Sequence, residues 1–184
     1  MSLGPWRFLD RREAFRTRIY RIDEERWVSP RTGREHAFAV IDSADFVNVV
    51  AVDGQGCLLL IRQFRFGTQQ FTLETPGGIV DRGEDPRAAA FRELREETGY
   101  EADTMLSLGK VAPNPAIMNN WSHFFLAEGV RPVGEQRLDA GEDIEVVRVP
   151  VHEALRMLHD GEVEHALAVV ALSRFAAHCA RTRA

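Results

Sequence analysis

Residues 77–100 read GGIVDRGEDPRAAAFRELREETGY, and the helix inside that stretch can be placed from its punctuation alone. Asp85 suits the N-cap, Pro86 the first helical position, and Gly99 the residue just past the end. Between them there is room for about three and a half turns. At about 100° per residue, Glu93, Glu96 and Glu97 share one stripe. Ala90, Phe91, Leu94 and Thr98 form a neighbouring, more apolar face able to pack on a sheet. Three carboxylates on one stripe repel one another and destabilise an isolated helix. Two readings compete. One is a solvated acidic face with Arg92 and Arg95 as local partners. The other is a set of hard oxygen ligands for a divalent cation such as Mg²⁺ or Mn²⁺.

The spacing of the whole stretch favours the second. It fits GX5EX7REUXEEXGU, with U a bulky apolar residue, at Gly78, Glu84, Arg92, Glu93, Leu94, Glu96, Glu97, Gly99 and Tyr100. This box resembles the signature of the Nudix hydrolases, and so many specified positions at fixed spacing make it a strong motif.

The remainder of the chain sets bounds. At 184 residues, 45% of them hydrophobic, it has material for one domain with a sizeable core. A net charge of −5 argues against nucleic-acid binding through a broad basic surface. Cys57 and Cys179 lie far apart without metal spacing and read as free thiols of a reducing compartment. No apolar run reaches membrane-spanning length, and Met1–Leu3, which could be a cloning remnant, opens no signal peptide. A cytoplasmic protein without membrane attachment is expected.

In chain order, Phe15–Trp27 reads as a strand, 29–33 as a turn and Glu35–Ile41 as its return. Phe46–Val52 and Cys57–Phe64 read as a hairpin at the centre of a sheet. Shorter strands follow at Phe71–Glu74, Met105–Val111, Trp121–Ala127 and Ile144–Val149, with helices over Val151–His159 and His165–Arg181. Elements that mix without regular βαβ alternation predict an α/β fold with a mixed sheet between helices. Residues 1–42 are too few for a core of their own and read as an antiparallel β extension, with 43–184 as the main domain.

The resemblance adds specifics. It implies the Nudix-type α/β/α sandwich, dimerisation through the N-terminal extension, and hydrolysis of a nucleoside diphosphate linked to another moiety, with Mg²⁺ as cofactor. It implies Glu93, Glu96, Glu97 and the Gly77 carbonyl as metal ligands, with Arg92 orienting a carboxylate. The general base is Glu93 in some members. In the ADP-ribose pyrophosphatase branch it is a glutamate from a late loop, here Glu142, with Asp143 and Glu145 as alternatives. Two further segments resemble that branch: Ile61-Arg62-Gln63-Phe64-Arg65 its V-x-Q-Y-R strand, and Thr72–Gly78 its L-E-x-P-A/G-G entry. Pro115 falls near its marker proline. Arg62 and Arg65 are expected to face one anionic pocket. Trp27 is a candidate for stacking a base across a dimer interface, and Asn119 and Asn120 for bonding sugar hydroxyls or serving as turn residues. Asn114–Trp121 departs from the serine-proline-glycine loop common in ADP-ribose enzymes. The expected substrate is therefore ADP-ribose or a related nucleoside diphosphate sugar. Dinucleoside polyphosphates, NADH, capped RNA, or silent sensing of a nucleotide sugar are the alternatives.

Overall fold

The computed structural model describes residues 4–182; Met1–Leu3 lie outside them. The chain divides into two compact units. One holds the chain up to Ala44 together with Ala112–Trp121, and the other Asp45–Val111 with the chain from Ser122 onward.

The first unit is an antiparallel meander of β1 (Arg7–Arg16), β2 (Tyr20–Val28) and β3 (Glu35–Ser43), in that spatial order. A turn divides what reads as one strand over Phe15–Trp27. The Thr17 hydroxyl accepts from the Ile19 and Tyr20 N–H groups and donates to the Tyr20 carbonyl, so a side chain closes the turn without glycine, proline or asparagine. Opposite charges lie across the ladder, with Arg26 on Asp10 and Arg12 on Glu24, which removes the apolar-polar alternation that would have announced β1. In the loop of this unit the Ile117 carbonyl accepts from Ile41 and the Asn119 amide donates to Asp42 at 2.7 Å.

The second unit is a mixed sheet clad on both faces by helices. Its strands are β4 (Phe46–Asp53), β5 (Cys57–Arg65), β6 (Gln70–Glu74), β7 (Tyr100–Glu101), β8 (Thr104–Val111), β9 (Ser122–Pro132) and β10 (Ile144–Pro150). The order is β10-β5-β4-β9-β7, with β6 on β5 and β8 on β9. Only the β4–β9 pairing is parallel. The helix α1 (Pro86–Thr98) covers one face, where Val47, Val49, Leu59, Leu94 and Phe125 meet. Helices α2 (Val151–His159) and α3 (Ala166–Thr182) cover the other, over Val50, Leu58, Leu60, Phe124 and Leu172. Burial on both sides is why FVNVVAV and CLLLI run apolar without alternation. The α/β/α sandwich with a mixed sheet and a separate antiparallel sheet is therefore as expected. β9 runs five residues past its expected end at Ala127, and its last two pair with β7. Among the described residues no helix is long and apolar enough to cross a membrane. Cys57 and Cys179 are free.

Candidate active site

Helix α1 begins and ends at the expected residues. The Asp85 carboxylate accepts from the Arg87 and Ala88 N–H groups, and Gly99, at φ 73°, donates its N–H to the Arg95 carbonyl. The stripe it buries holds the expected Ala90, Leu94 and Thr98, and is wider than expected. Glu93 and Glu97 are buried along with Ala89, Ala90 and Leu94, while Phe91 is only half-buried. The acidic stripe therefore overlaps the core-facing one, and a simply solvated acidic face is excluded.

The segment before the helix explains how those carboxylates are reached. Residues 76–80 run alongside β4, with Val49 donating to the Pro76 carbonyl, Val47 to that of Gly78, and Val80 to that of Asp45. The Pro76 and Gly78 carbonyls are thus taken by β4, and Gly77 turns its N–H to Glu97 Oε2 at 2.7 Å. A Cβ on Gly78 would land among the Glu93 carboxylate atoms. A side chain here would have to displace that carboxylate.

Arg92 is the hub. Its guanidinium binds Glu84 through Nε and Nη2 at 3.0 and 2.9 Å, Glu93 at 2.8 Å, Glu96 at 3.1 Å and the Ile79 carbonyl at 3.0 Å. That network holds it cationic. One guanidinium does not balance this site. Burial, then the neighbouring Glu96 and Glu142, raise Glu93 against the pull of Arg92. Burial raises Glu97 well above the usual range, with Glu93 and Glu142 adding to it against the Gly77 hydrogen bond. Converging, under-neutralised carboxylates are the donor chemistry a divalent cation fits. In this structure their oxygens are turned to Arg92 and Gly77, so among the described residues no three acidic or histidine donors surround one point.

The late acidic loop reaches this site through Glu142, whose charge acts on both Glu93 and Glu97. Glu142 closes a turn on Asp139: its N–H donates to the Asp139 carbonyl and its carboxylate accepts from the Asp139 N–H, both at 3.0 Å. Glu145 of β10 lies opposite Arg62 of β5, 3.5 Å away and largely exposed, on the α2/α3 side of the sheet.

The expectation that Arg62 and Arg65 share one pocket is overturned. Positions three apart on a strand point to opposite faces. Arg62 lies over the Phe71 ring at 4.5 Å and, with Val147 and Met157, lines a cavity of about 320 Å³ on the α2/α3 side. Arg65 faces the α1 side, where its Nε and Nη2 bind the buried Glu74 at 2.7 and 2.5 Å. Burial alone would raise Glu74, but the hydrogen bonds from Arg65 and Thr72 outweigh it and hold its pKa below the usual value. Removing the arginine strands a buried charge. Arg65→Ala is expected to cost about 2–4 kcal/mol of stability at pH 7. A carboxylate with a depressed pKa stabilises above its unfolded value, 4.5, and that contribution is lost as pH falls through the folded one. The melting-temperature gap between wild type and variant should therefore narrow below about pH 4.5. A gap independent of pH would refute the pairing as its source.

Trp27, Asn119 and Asn120 belong to the first unit. The Trp27 indole N–H donates to Glu25 at 3.0 Å and its ring meets Phe8 edge-on. Asn119 accepts from the Ser43 N–H in addition to its bond to Asp42. Asn120 is buried and donates to the Ala44 carbonyl at 2.8 Å. The half-buried His123 pairs through Nε2 with Asp45 at 2.9 Å.

Gln136 was invisible in the sequence. Its side-chain amide donates to the carbonyls of Glu97 and Ile144, 39 and 8 residues away along the chain, and no local pattern signals such a contact.

The chain is similar to known proteins in sequence and in fold. The family model described as the NUDIX domain matches residues 43–170. An ADP-ribose pyrophosphatase of Bacillus subtilis (strain 168) is 32% identical over 141 residues, 76% of each chain. A GDP-mannose pyrophosphatase of Citrobacter koseri is 35% identical over 127 residues, covering 63% of this chain and 64% of the other. The crystal structure of an ADP compounds hydrolase superposes with a TM-score of 0.87 at 24% identity, covering 99% of this chain and 98% of that one, a likeness of fold.

Proposed function

The chain belongs to the Nudix family, and on that footing we infer that it hydrolyses the pyrophosphate bond of ADP-ribose or a related nucleoside diphosphate sugar. The products are a nucleoside monophosphate and a sugar phosphate. The observation that carries the reading is the buried, under-neutralised carboxylate cluster of Glu93 and Glu97 on a box helix whose every specified position is filled.

We assign Glu93, Glu96, Glu97 and the Gly77 carbonyl as the residues that hold a divalent metal, and Mg²⁺ as the metal. A cation bound there supplies charge to the phosphate oxygens and lowers the pKa of a coordinated water. The protein's own part is positional and proton-accepting. Arg92 fixes Glu84, Glu93 and Glu96 relative to one another. Glu142 takes the proton of the attacking water as its oxygen bonds to phosphorus, and the bridging oxygen departs with the other phosphate. Arg65, neutralised by Glu74, supports this face of the sheet rather than serving as a free phosphate ligand.

The first unit is proposed as a dimerisation element, with Trp27 as the candidate base-stacking group of that interface. Its support is a sheet most of whose β1 side chains are exposed, Phe15 at 55% and Phe8 at 41% among them. Light scattering giving a monomer mass would contradict it. A reducing cytoplasm suits the free thiols and acidic charge.

Incubation with Mg²⁺ and a panel of ADP-ribose, ADP-glucose, GDP-mannose, NADH, dinucleoside polyphosphates and capped RNA tests the function. A nucleotide sugar should give the highest kcat/KM. Tight binding of one member with turnover of none would replace the hydrolase by a sensor.

A further inference from the structure

The C-terminal end of α1 must find partners for its last carbonyls, because no further helical turn supplies them. Residues 133–137 do so from outside the helix. Val133 donates to the Gly99 carbonyl at 2.9 Å and Arg137 to that of Glu96 at 2.8 Å. Of the two carbonyls between them, that of Glu97 is met by a side chain: Gln136 Nε2 donates to it at 2.5 Å. A carboxamide carries two N–H donors. The other reaches the Ile144 carbonyl at 3.2 Å, at the first residue of β10 and two positions after Glu142. One half-buried side chain thus ties the residue that bears the most deeply buried carboxylate of the helix to the strand that anchors the acidic loop. The loop itself is stiffened by the two bonds between Asp139 and Glu142.

We propose that Gln136 is a positioning residue for hydrolysis, setting the Glu142 loop at a fixed distance from the carboxylates of α1 by bridging the Glu97 and Ile144 carbonyls. The proposal rests on the reading of Glu142 as proton acceptor. It requires that Gln136 touch neither substrate nor metal and act only through that loop. Its loss then loosens the geometry of proton transfer without altering how substrate is held, and small displacements of a catalytic group are costly in rate.

The test is a double-mutant cycle. Gln136→Met keeps length and bulk but removes both donors, and should lower kcat about 10–100-fold with KM within about twofold. Placed on Glu142→Gln, the same substitution should reduce the residual turnover less than about twofold, because there is no longer a base to position. Equal loss in both backgrounds, or unchanged kcat in the single variant, overturns the proposal. Full activity of Glu142→Gln overturns it differently, by removing the proton acceptor on which it rests. Gln136→Asn, a methylene too short to span both carbonyls, gives the same reading should Gln136→Met fail to fold.

Discussion

Glu97→Gln should lower metal-dependent turnover by roughly 10³-fold, about 4 kcal/mol of transition-state stabilisation, while making the metal-free protein more stable. The two effects have one cause. Glu97 is 2% exposed, and its pKa is raised by burial and then by Glu93 and Glu142, so the folded state resists its ionisation. A carboxylate whose folded pKa lies above its unfolded value penalises folding as pH rises past that unfolded value. At pH 7 the penalty is present, and a neutral amide removes it. The Gln carbonyl can still accept from the Gly77 N–H, so the turn keeps its bond. A gain on the order of 1 kcal/mol corresponds to about 2–4 °C in melting temperature for a chain of this size. Thermal denaturation in EDTA reads that gain, and it should vanish near pH 4, where the carboxyl is protonated in both states. A variant that is inactive and also less stable than wild type would mean that Glu97 holds the fold instead of straining it.

Gly77→Ala has the second largest expected effect, and it falls on stability first. A Cβ at Gly77 would collide with the Val47 carbonyl oxygen and lie 3.0 Å from the Asn48 Cα, both backbone atoms of β4. Neither side can retreat cheaply. Val47 and Val49 are bonded to residues 78 and 76 on either side of the glycine. Moving the turn outward breaks those bonds and carries the Gly77 N–H away from Glu97. A loss of about 2–4 kcal/mol, some 5–15 °C in melting temperature, is expected, with turnover falling as the Gly77 carbonyl shifts. Gly54→Ala is the control: its Cβ meets nothing within 4 Å, and the change should stay within about 0.5 kcal/mol. Equal melting temperatures for the two variants would refute the close-approach account.

What the sequence discloses follows the range of the physics involved. The limits of α1 were readable because capping is local: Asp85, Pro86 and Gly99 act on backbone groups within a few residues. The central strands were readable from continuous apolar runs. β1 was not, because its ladder pairs arginines with carboxylates and its turn is closed by a threonine hydroxyl. The carboxylate cluster was legible as a pattern, since Glu93, Glu96 and Glu97 recur at helical spacing. That Glu93 and Glu97 are buried was not, because burial depends on which stripe the sheet covers. For Arg62 and Arg65 the alternation of a strand already separates them, and the pairing of Arg65 with Glu74 comes from the β5–β6 register. Gln136 lies at the far limit, since its partners are backbone carbonyls of Glu97 and Ile144 that only the folded chain brings to it.

The claim that α1 is the metal-holding floor of a pyrophosphate site is tested most directly by product analysis. ADP-ribose or a nucleoside diphosphate sugar is incubated with wild type and with Glu97→Gln, each in Mg²⁺ and in EDTA, and the nucleoside monophosphate and sugar phosphate are quantified. Equimolar release of both products by wild type in Mg²⁺ alone, with the other three reactions near background, is the predicted result. Release that persists in EDTA, or that Glu97→Gln matches in Mg²⁺, would contradict it.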